Sequence, residues 1–220
     1  MSNRIVRYSC AVSALLVPGT AFAHHPLAGA PMESFADGLL SGIGHPLLGF
    51  DHLFFVVAVG VAALFSARRV AAPAAYIAAM LIGCLAMSMN FGLPAKELVI
   101  ALSLVVVGGA LLRGKALATL PAVLLFAGFG LFHGSAFGDT IASQEAAMGA
   151  QVLVGYLIGL GVIQLAIVLG TGLLFERIVK VAEAGDVKAR IAGAMVAGAG
   201  AFLVLENLEG VAFSMLGLAA

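Results

Sequence analysis

The residues best suited to chemistry lie in one stretch of this sequence, HPLLGFDH at positions 45–52. It places two imidazoles and a carboxylate inside a long apolar run, 38–65. Ionisable side chains at membrane depth are rare and usually functional. On a continuous helix His45 and His52 share a face because they are seven residues apart, while Asp51 lies about 100° away, near enough to join them as a ligand.

The same stretch predicts an irregular backbone. Pro46 has no N–H to donate, and Gly49 has no side chain. A proline inside a helix removes a backbone hydrogen bond and bends the helix. We therefore expect the first helix to be bent or opened here, which lets backbone carbonyls and a small ion approach each other.

A second polar stretch, FHGSAFGD, occupies positions 132–139. His133 is predicted about 6 Å from the outer end of its helix, and His45 about 10 Å below the outer end of the first helix, so the two meet at one depth. With Asp51 and His52 they supply three imidazoles and one carboxylate. This nitrogen-rich set suits Ni²⁺, Co²⁺, Zn²⁺ or Cu²⁺ rather than Mg²⁺ or Ca²⁺. The alternative role of an intramembrane histidine is a hydrogen bond between helices.

Three residues are weaker candidates for the metal site. Asp139 belongs either to the site or to the loop that follows it. His24 and His25 are expected to chelate a divalent ion together with a new α-amine after Ala23, or to form a solvated tail. No prosthetic group is predicted, since the metal ion is expected to be bound only transiently.

The composition predicts a membrane protein. Of the 220 residues, 62% are hydrophobic and 10% are charged, and the formal net charge is zero. Soluble domains are roughly half apolar and a quarter charged. The lipid bilayer is therefore an expected partner, and nucleic acid is excluded because the chain has no basic run.

Residues 1–23 are typical of a cleavable signal peptide, because Arg4 and Arg7 precede a short apolar core that ends in Ala-Phe-Ala. A short segment, 24–37, then leads to a transmembrane domain, 38–220. We predict an all-α membrane protein, a bundle of six transmembrane helices. The predicted spans are 38–65, 73–89, 98–112, 120–137, 149–175 and 191–208.

Basic residues predict the orientation of the bundle. Eight of the nine lysines and arginines after residue 23 lie in the loops that follow the first, third and fifth spans. Loops rich in basic residues stay in the cytoplasm. We therefore predict the bacterial inner membrane, with the mature N-terminus in the periplasm.

Three pairs of glycines with a spacing of four predict where helices touch. Such a spacing lets the backbones of two helices approach closely in lipid. The pairs are Gly38 with Gly42, Gly134 with Gly138, and Gly155 with Gly159.

The stretches HPLLGFDH and FHGSAFG, in a chain with a signal peptide and six predicted spans, resemble the HupE/UreJ family of hydrogenase and urease accessory membrane proteins. That family is regarded as nickel or cobalt permeases. The resemblance covers essentially the whole mature chain. It implies metal roles for His45, Asp51, His52 and His133.

Two positions depart from the family pattern. The family often has histidine where this chain has Phe137, and glutamate where it has Thr140. Asp139 or Glu145 is the expected substitute for the missing carboxylate.

The resemblance implies a permease that moves Ni²⁺ or Co²⁺ inward and supplies metalloenzyme maturation. Maturation proteins or a second copy of the chain are further expected partners. No Walker-type phosphate loop is present, so no ATP motor is expected, and the chain is predicted not to be an enzyme. Two alternatives stay open: an intramembrane zinc hydrolase with Ser135 as the local nucleophile, and a metal-binding scaffold that does not conduct.

Overall fold

The computed structural model describes residues 31–142 and 149–217, which fold into helices joined by short loops. The prediction of an all-α protein is confirmed for these two ranges, which contain no strand. The predicted signal peptide lies outside them, as do His24 and His25. The helices are α1 Phe35–Leu48, α2 Phe50–Leu64, α3 Ala71–Ser88, α4 Lys96–Leu112, α5 Thr119–Ala142, α6 Ala150–Leu173 and α7 Val187–Met215. A π-helical segment, Leu174–Ile178, extends α6.

The predicted number of six spans is not confirmed. Four helices of the described part are long and apolar enough to cross a membrane: α3, α5, α6 with its π-helical segment, and α7. Helices α1 and α2 qualify together as a broken span, which makes five. Helix α4 has 17 residues, about 25 Å, which is short of the roughly 30 Å hydrocarbon core. The described part of the chain is thus all-helical, with several apolar helices of the length found in multi-pass membrane proteins.

The break between α1 and α2 corrects the prediction of one helix over 38–65. The two helices meet at an angle of 81°, and the extended backbone of Gly49 (φ −86°, ψ 99°) separates them. Pro46 stays inside α1. Gly49 caps both helices, since its N–H donates to the carbonyl of His45 and its carbonyl accepts from the N–H of Leu53. The expectation of a bent backbone in this stretch is confirmed.

Helix α1 begins at Phe35, inside the segment 24–37 that was predicted to precede the first span. Ser34 caps it: the Ser34 hydroxyl accepts from the N–H of Asp37, and the Asp37 carboxylate accepts from the N–H of Ser34. Such a cap stabilises a helix by about 1 kcal/mol. The helix therefore starts directly after its capping residue, three residues before the continuous apolar run.

Two of the predicted glycine pairs pack against each other. Gly38 and Gly42 of α1 face Gly155 and Gly159 of α6. A Cβ added to any of the four would stand 2.2–2.3 Å from a carbonyl oxygen of the other helix. These helices touch through their backbones, which fixes α1, and with it the bend, against α6.

The third glycine pair packs α5 against α3. A Cβ at Gly134 would stand 1.9 Å from the carbonyl oxygen of Met80, and one at Gly138 would stand 2.5 Å from Cβ of Met87. Met80 and Cys84 are fully buried at this contact. The sulfur-bearing side chains of Met80, Cys84 and Met87 on α3 therefore serve helix packing.

The basic loops meet at one end of the bundle, which we call the basic end. Arg69, in the α2–α3 loop, donates to Glu176 at the end of α6 at 2.8 Å. Arg190, in the first turn of α7, donates to the carbonyl of Leu112 at the end of α4 at 3.0 Å. The loops that follow α2, α4 and α6 thus lie together, as their charge predicted.

The remaining connections lie at the opposite end. Lys96, at the start of α4, pairs with Asp139 near the end of α5 at 2.5 Å. Gln151, at the start of α6, donates to the carbonyl of Glu33 just before α1 at 3.2 Å. The described helices therefore alternate between two ends, which is the arrangement of a multi-pass protein.

Candidate functional site

Three elements bring the predicted histidines together in what we call the histidine cluster, His45, His52 and His133. His45 lies in the last turn of α1, His52 in the first turn of α2, and His133 in α5. The ring centroids of His45 and His52 are 6.2 Å apart, and those of His52 and His133 are 5.0 Å apart. His52 and His133 are buried. The cluster is an interhelical group within the apolar bundle.

The geometry that creates the cluster differs from the predicted one. His45 and His52 approach across the bend at Gly49 and do not share the face of one continuous helix. His133 is deeper than predicted, because α5 continues to Ala142. It lies nine residues, or about 14 Å, before the end of its helix instead of about 6 Å.

Hydrogen bonds connect His133 to two other helices. Its Nδ1 lies 2.8 Å from Nδ1 of His52, and its Nε2 lies 3.1 Å from the hydroxyl of Ser103. The Ser103 hydroxyl donates its one hydrogen to the carbonyl of Ile100 at 2.6 Å. Nε2 of His133 must therefore donate to Ser103, and in the neutral ring Nδ1 accepts from His52. In this arrangement His133 acts as a hydrogen-bond partner between helices.

Asp51 lies beside the cluster, in the first turn of α2. Its Oδ1 accepts the backbone N–H of His52 at 2.8 Å, and its Oδ2 lies 3.9 Å from Nε2 of the same residue. A carboxylate in the first turn stabilises a helix through the positive end of the helix dipole. The side chain of Asp51 is 25% exposed and that of His52 only 7%, so Asp51 is the more accessible of these two residues.

Two hydroxyl groups hold His45, that of Thr140, which the sequence marked only as the place of a missing carboxylate, and that of Tyr156, which it did not identify. Its Nδ1 lies 3.0 Å from Oγ1 of Thr140 and 3.0 Å from the hydroxyl of Tyr156. Tyr156 is fully buried on α6 and also donates to the carbonyl of Phe137. These contacts connect α1, α5 and α6 at the cluster.

Both departures from the family pattern lie in the cluster. The ring of Phe137 packs 5.1 Å from that of His45 and 4.2 Å from that of His52, measured between centroids. Thr140 bonds directly to His45. The resemblance leads us to expect an imidazole at position 137 and a carboxylate at position 140. This chain has a phenyl ring and a hydroxyl group there, and both lie at the site itself.

The weaker candidates do not complete the cluster within the described residues. Asp139 forms an ion pair with Lys96 at the end of the bundle that lies opposite the basic end. His24, His25 and Glu145 lie outside the described ranges.

Along the described ranges, no three side chains of histidine, cysteine, aspartate or glutamate are arranged as a formed metal site. The cluster instead directs imidazole nitrogens at each other and at hydroxyl groups. Coordination of an ion by these residues therefore requires at least one imidazole to rotate out of its present hydrogen bond.

Sequence reasoning did not identify the hydroxyl groups of Ser103 and Tyr156, and it named Thr140 only as the position of a missing carboxylate. All three are polar residues in largely apolar helices, and polar residues inside membrane helices commonly form hydrogen bonds with neighbouring helices. The residue types therefore suggested hydrogen bonds between helices, but the sequence did not show which residue each hydroxyl group would contact.

Comparison with known proteins agrees with the motifs. A model of the family described as HupE / UreJ protein matches residues 12–203. The chain is 33% identical over 196 residues to Protein HupE of Rhizobium leguminosarum bv. viciae, a match that covers 88% of this chain and 95% of that protein. No solved structure matches the chain.

Proposed function

Since this chain belongs to the HupE/UreJ family, we propose that it is an inner-membrane permease that carries Ni²⁺ or Co²⁺ into the cell for metalloenzyme maturation. The family is associated with nickel and cobalt accessory transport for hydrogenase and urease. The observation that carries the proposal is the histidine cluster, in which imidazoles from α1, α2 and α5 meet inside an apolar bundle. Neutral imidazole is a ligand that both metals accept.

The hydrogen bonds of the histidine cluster support a transport site rather than a site that retains its metal ion. Its imidazoles are bonded to neutral partners, such as the hydroxyl groups of Ser103 and Tyr156. Such hydrogen bonds contribute about 1 kcal/mol each, so an imidazole can give up one of them to bind a metal ion. A permeation site must bind its ion and also release it, which a set of moderate ligands permits.

No energy source besides the membrane potential is required. A potential that is negative inside favours inward movement of a divalent cation by about 4.6 kcal/mol per 100 mV, twice the value for one charge. The proposed mechanism is therefore facilitated diffusion, in which the ion exchanges water for the imidazoles and Asp51.

No specific observation favours the hydrolase alternative. Ser135, the local nucleophile that this alternative requires, accepts a hydrogen bond from the N–H of Leu93 at 3.0 Å. The serine that bonds to a cluster histidine is Ser103, and the carbonyl of Ile100 uses its hydrogen. We therefore propose no catalytic step.

The test is uptake of radioactive nickel or cobalt into proteoliposomes that contain only the purified protein, under a potential that is negative inside. The wild-type protein should accumulate the ion, and His45→Ala, Asp51→Ala and His52→Ala should each abolish accumulation. Glu183→Gln, in the loop before α7, removes an exposed carboxylate and serves as the control.

Two results would oppose the proposal. Wild-type protein that binds the ion but does not accumulate it would support the scaffold alternative. Accumulation at the wild-type rate by all three variants would remove the cluster from the transport path.

A further inference from the structure

The hydroxyl group of Tyr156 contacts the imidazole of His45 and a backbone carbonyl at the same time. Its oxygen lies 3.0 Å from Nδ1 of His45 and 3.0 Å from the carbonyl oxygen of Phe137. A carbonyl oxygen only accepts hydrogen bonds, so the single hydrogen of the hydroxyl group goes to Phe137. Toward His45 the phenol oxygen can therefore act only as an acceptor.

These contacts determine which nitrogen of His45 carries the hydrogen. If Nδ1 had no hydrogen, its lone pair would lie against a lone pair of Tyr156 at 3.0 Å, which is repulsive. Nδ1 is therefore the protonated nitrogen, and it donates to Tyr156, with Oγ1 of Thr140 at 3.0 Å as a second acceptor. A neutral imidazole carries one hydrogen, so Nε2 of His45 keeps its lone pair.

The contact of α1 with α6 sets the position of Tyr156. A Cβ at Gly42 would stand 2.2 Å from the carbonyl oxygen of Tyr156, so the backbone of this tyrosine touches α1 about one turn before His45. The side chain is fully buried, and its ring lies edge to face with that of His45, with the centroids 6.5 Å apart. Close helix packing thus holds the phenol oxygen against one particular ring nitrogen.

We propose that Tyr156 is a positioning residue of the metal site, which holds His45 in the form that binds the ion through Nε2. The inference rests on the metal binding that the proposed function assigns to the histidine cluster. Histidines that bind metal ions usually donate the N–H of the other ring nitrogen to a neighbouring oxygen, which fixes the tautomer and the orientation of the ring. Tyr156 supplies this oxygen from α6, a helix that carries none of the three histidines.

The same assignment identifies which rings move when an ion binds. When His45 binds through Nε2, it retains both hydroxyl contacts of Nδ1 and need not rotate out of them. The rotation that coordination requires is then made by His52 or His133, whose Nδ1 atoms are bonded to each other. His45 is therefore the fixed ligand of the cluster, and the other two imidazoles are the adjustable ones.

The experiment compares two buried tyrosines in the full-length protein. Tyr156→Phe removes the acceptor for His45 and keeps the ring, and we expect it to weaken the binding of Ni²⁺ or Co²⁺ by about tenfold, measured by calorimetry. Tyr76→Phe is the matched control, because the hydroxyl group of Tyr76 is equally buried but donates to Gln164 and not to an imidazole. This variant should bind the metal with wild-type affinity.

A second measurement reads the tautomer directly. ¹⁵N NMR of the histidine side chains in the metal-free protein should show a hydrogen on Nδ1 of His45, whose signals are identified by their loss in His45→Ala. In the double variant Tyr156→Phe with Thr140→Val this preference should disappear, because both acceptors are gone. A hydrogen on Nε2 of His45 in the wild-type protein would overturn the inference.

The outcomes separate this inference from the function on which it rests. Wild-type affinity in Tyr156→Phe, in a protein that binds the metal, would overturn the positioning role alone, and so would an equal loss of affinity in Tyr76→Phe. A wild-type protein that binds neither Ni²⁺ nor Co²⁺ would instead overturn the proposed function.

Discussion

Phe137 occupies the position in the histidine cluster at which one more ligand would fit. Its ring packs against those of both His45 and His52, so an imidazole at this position would add a nitrogen next to both. We predict that Phe137→His tightens the binding of Ni²⁺ or Co²⁺ by roughly tenfold, or ~1.4 kcal/mol. Titration calorimetry on the purified protein measures this. Phe91→His makes the same change on an exposed loop and should leave the affinity unaltered.

His133 gives a second prediction at this scale. Removing it deletes one imidazole and the hydrogen bond that orients His52. We predict that His133→Ala weakens metal binding as much as His45→Ala, whereas Ser103→Ala, which removes only the acceptor for His133, has a smaller effect. The comparison uses calorimetry on all three variants. Wild-type affinity in His133→Ala would exclude α5 from the site.

The sequence anticipated which histidines meet, but not how they are held. Ionisable residues in apolar runs directed attention to His45, His52 and His133, and these do converge. Their hydroxyl partners lie on other helices, and a lone hydroxyl in an apolar run has no spacing that reveals its partner. Asp139 was a candidate because it adjoins the second motif, yet the partner that holds it is Lys96, 43 residues away.

At the level of the helices, close packing depends on glycine. Gly159 touches α1, and a Cβ there would stand 2.3 Å from the carbonyl oxygen of Leu39, whereas one at Gly170 on the same helix would meet nothing within 4 Å. We predict that Gly159→Ala destabilises the protein by about 2 kcal/mol. Gly170→Ala should be neutral or stabilising by up to ~1 kcal/mol, because alanine is the better helix former. Unfolding of both variants in detergent tests this, and equal stabilities would contradict it.

The glycine spacing predicted helix contacts better than helix ends. The fourth span was predicted to end at 137, but the helix continues to Ala142, and Gly134 and Gly138 form its contact with α3. The number of spans depends on lengths and angles that composition does not encode. Helix α4 is one example, and the 81° break at Gly49 is another.

For the whole molecule, charge predicts which loops lie together. The loops that follow α2, α4 and α6, together with the helical turns that border them, carry eight of the nine basic residues after residue 23. Contacts such as that of Arg69 with Glu176 gather them at one end. The exception, Lys96, lies at the opposite end, where Asp139 neutralises it. The basic end therefore carries nearly all of the positive charge that orients a membrane protein.

The side of the membrane on which the basic end lies decides the end of the bundle at which the ion enters. We predict that the basic end faces the cytoplasm, since basic loops are retained there. In intact cells a membrane-impermeant thiol reagent should label Phe91→Cys, in the α3–α4 loop, and should label Ala182→Cys, in the loop before α7, only after lysis. The native Cys84 is buried and should give little background. The reverse pattern would place the basic end at the periplasm. An ion driven inward by the membrane potential would then enter the bundle at the basic end instead of at the opposite end.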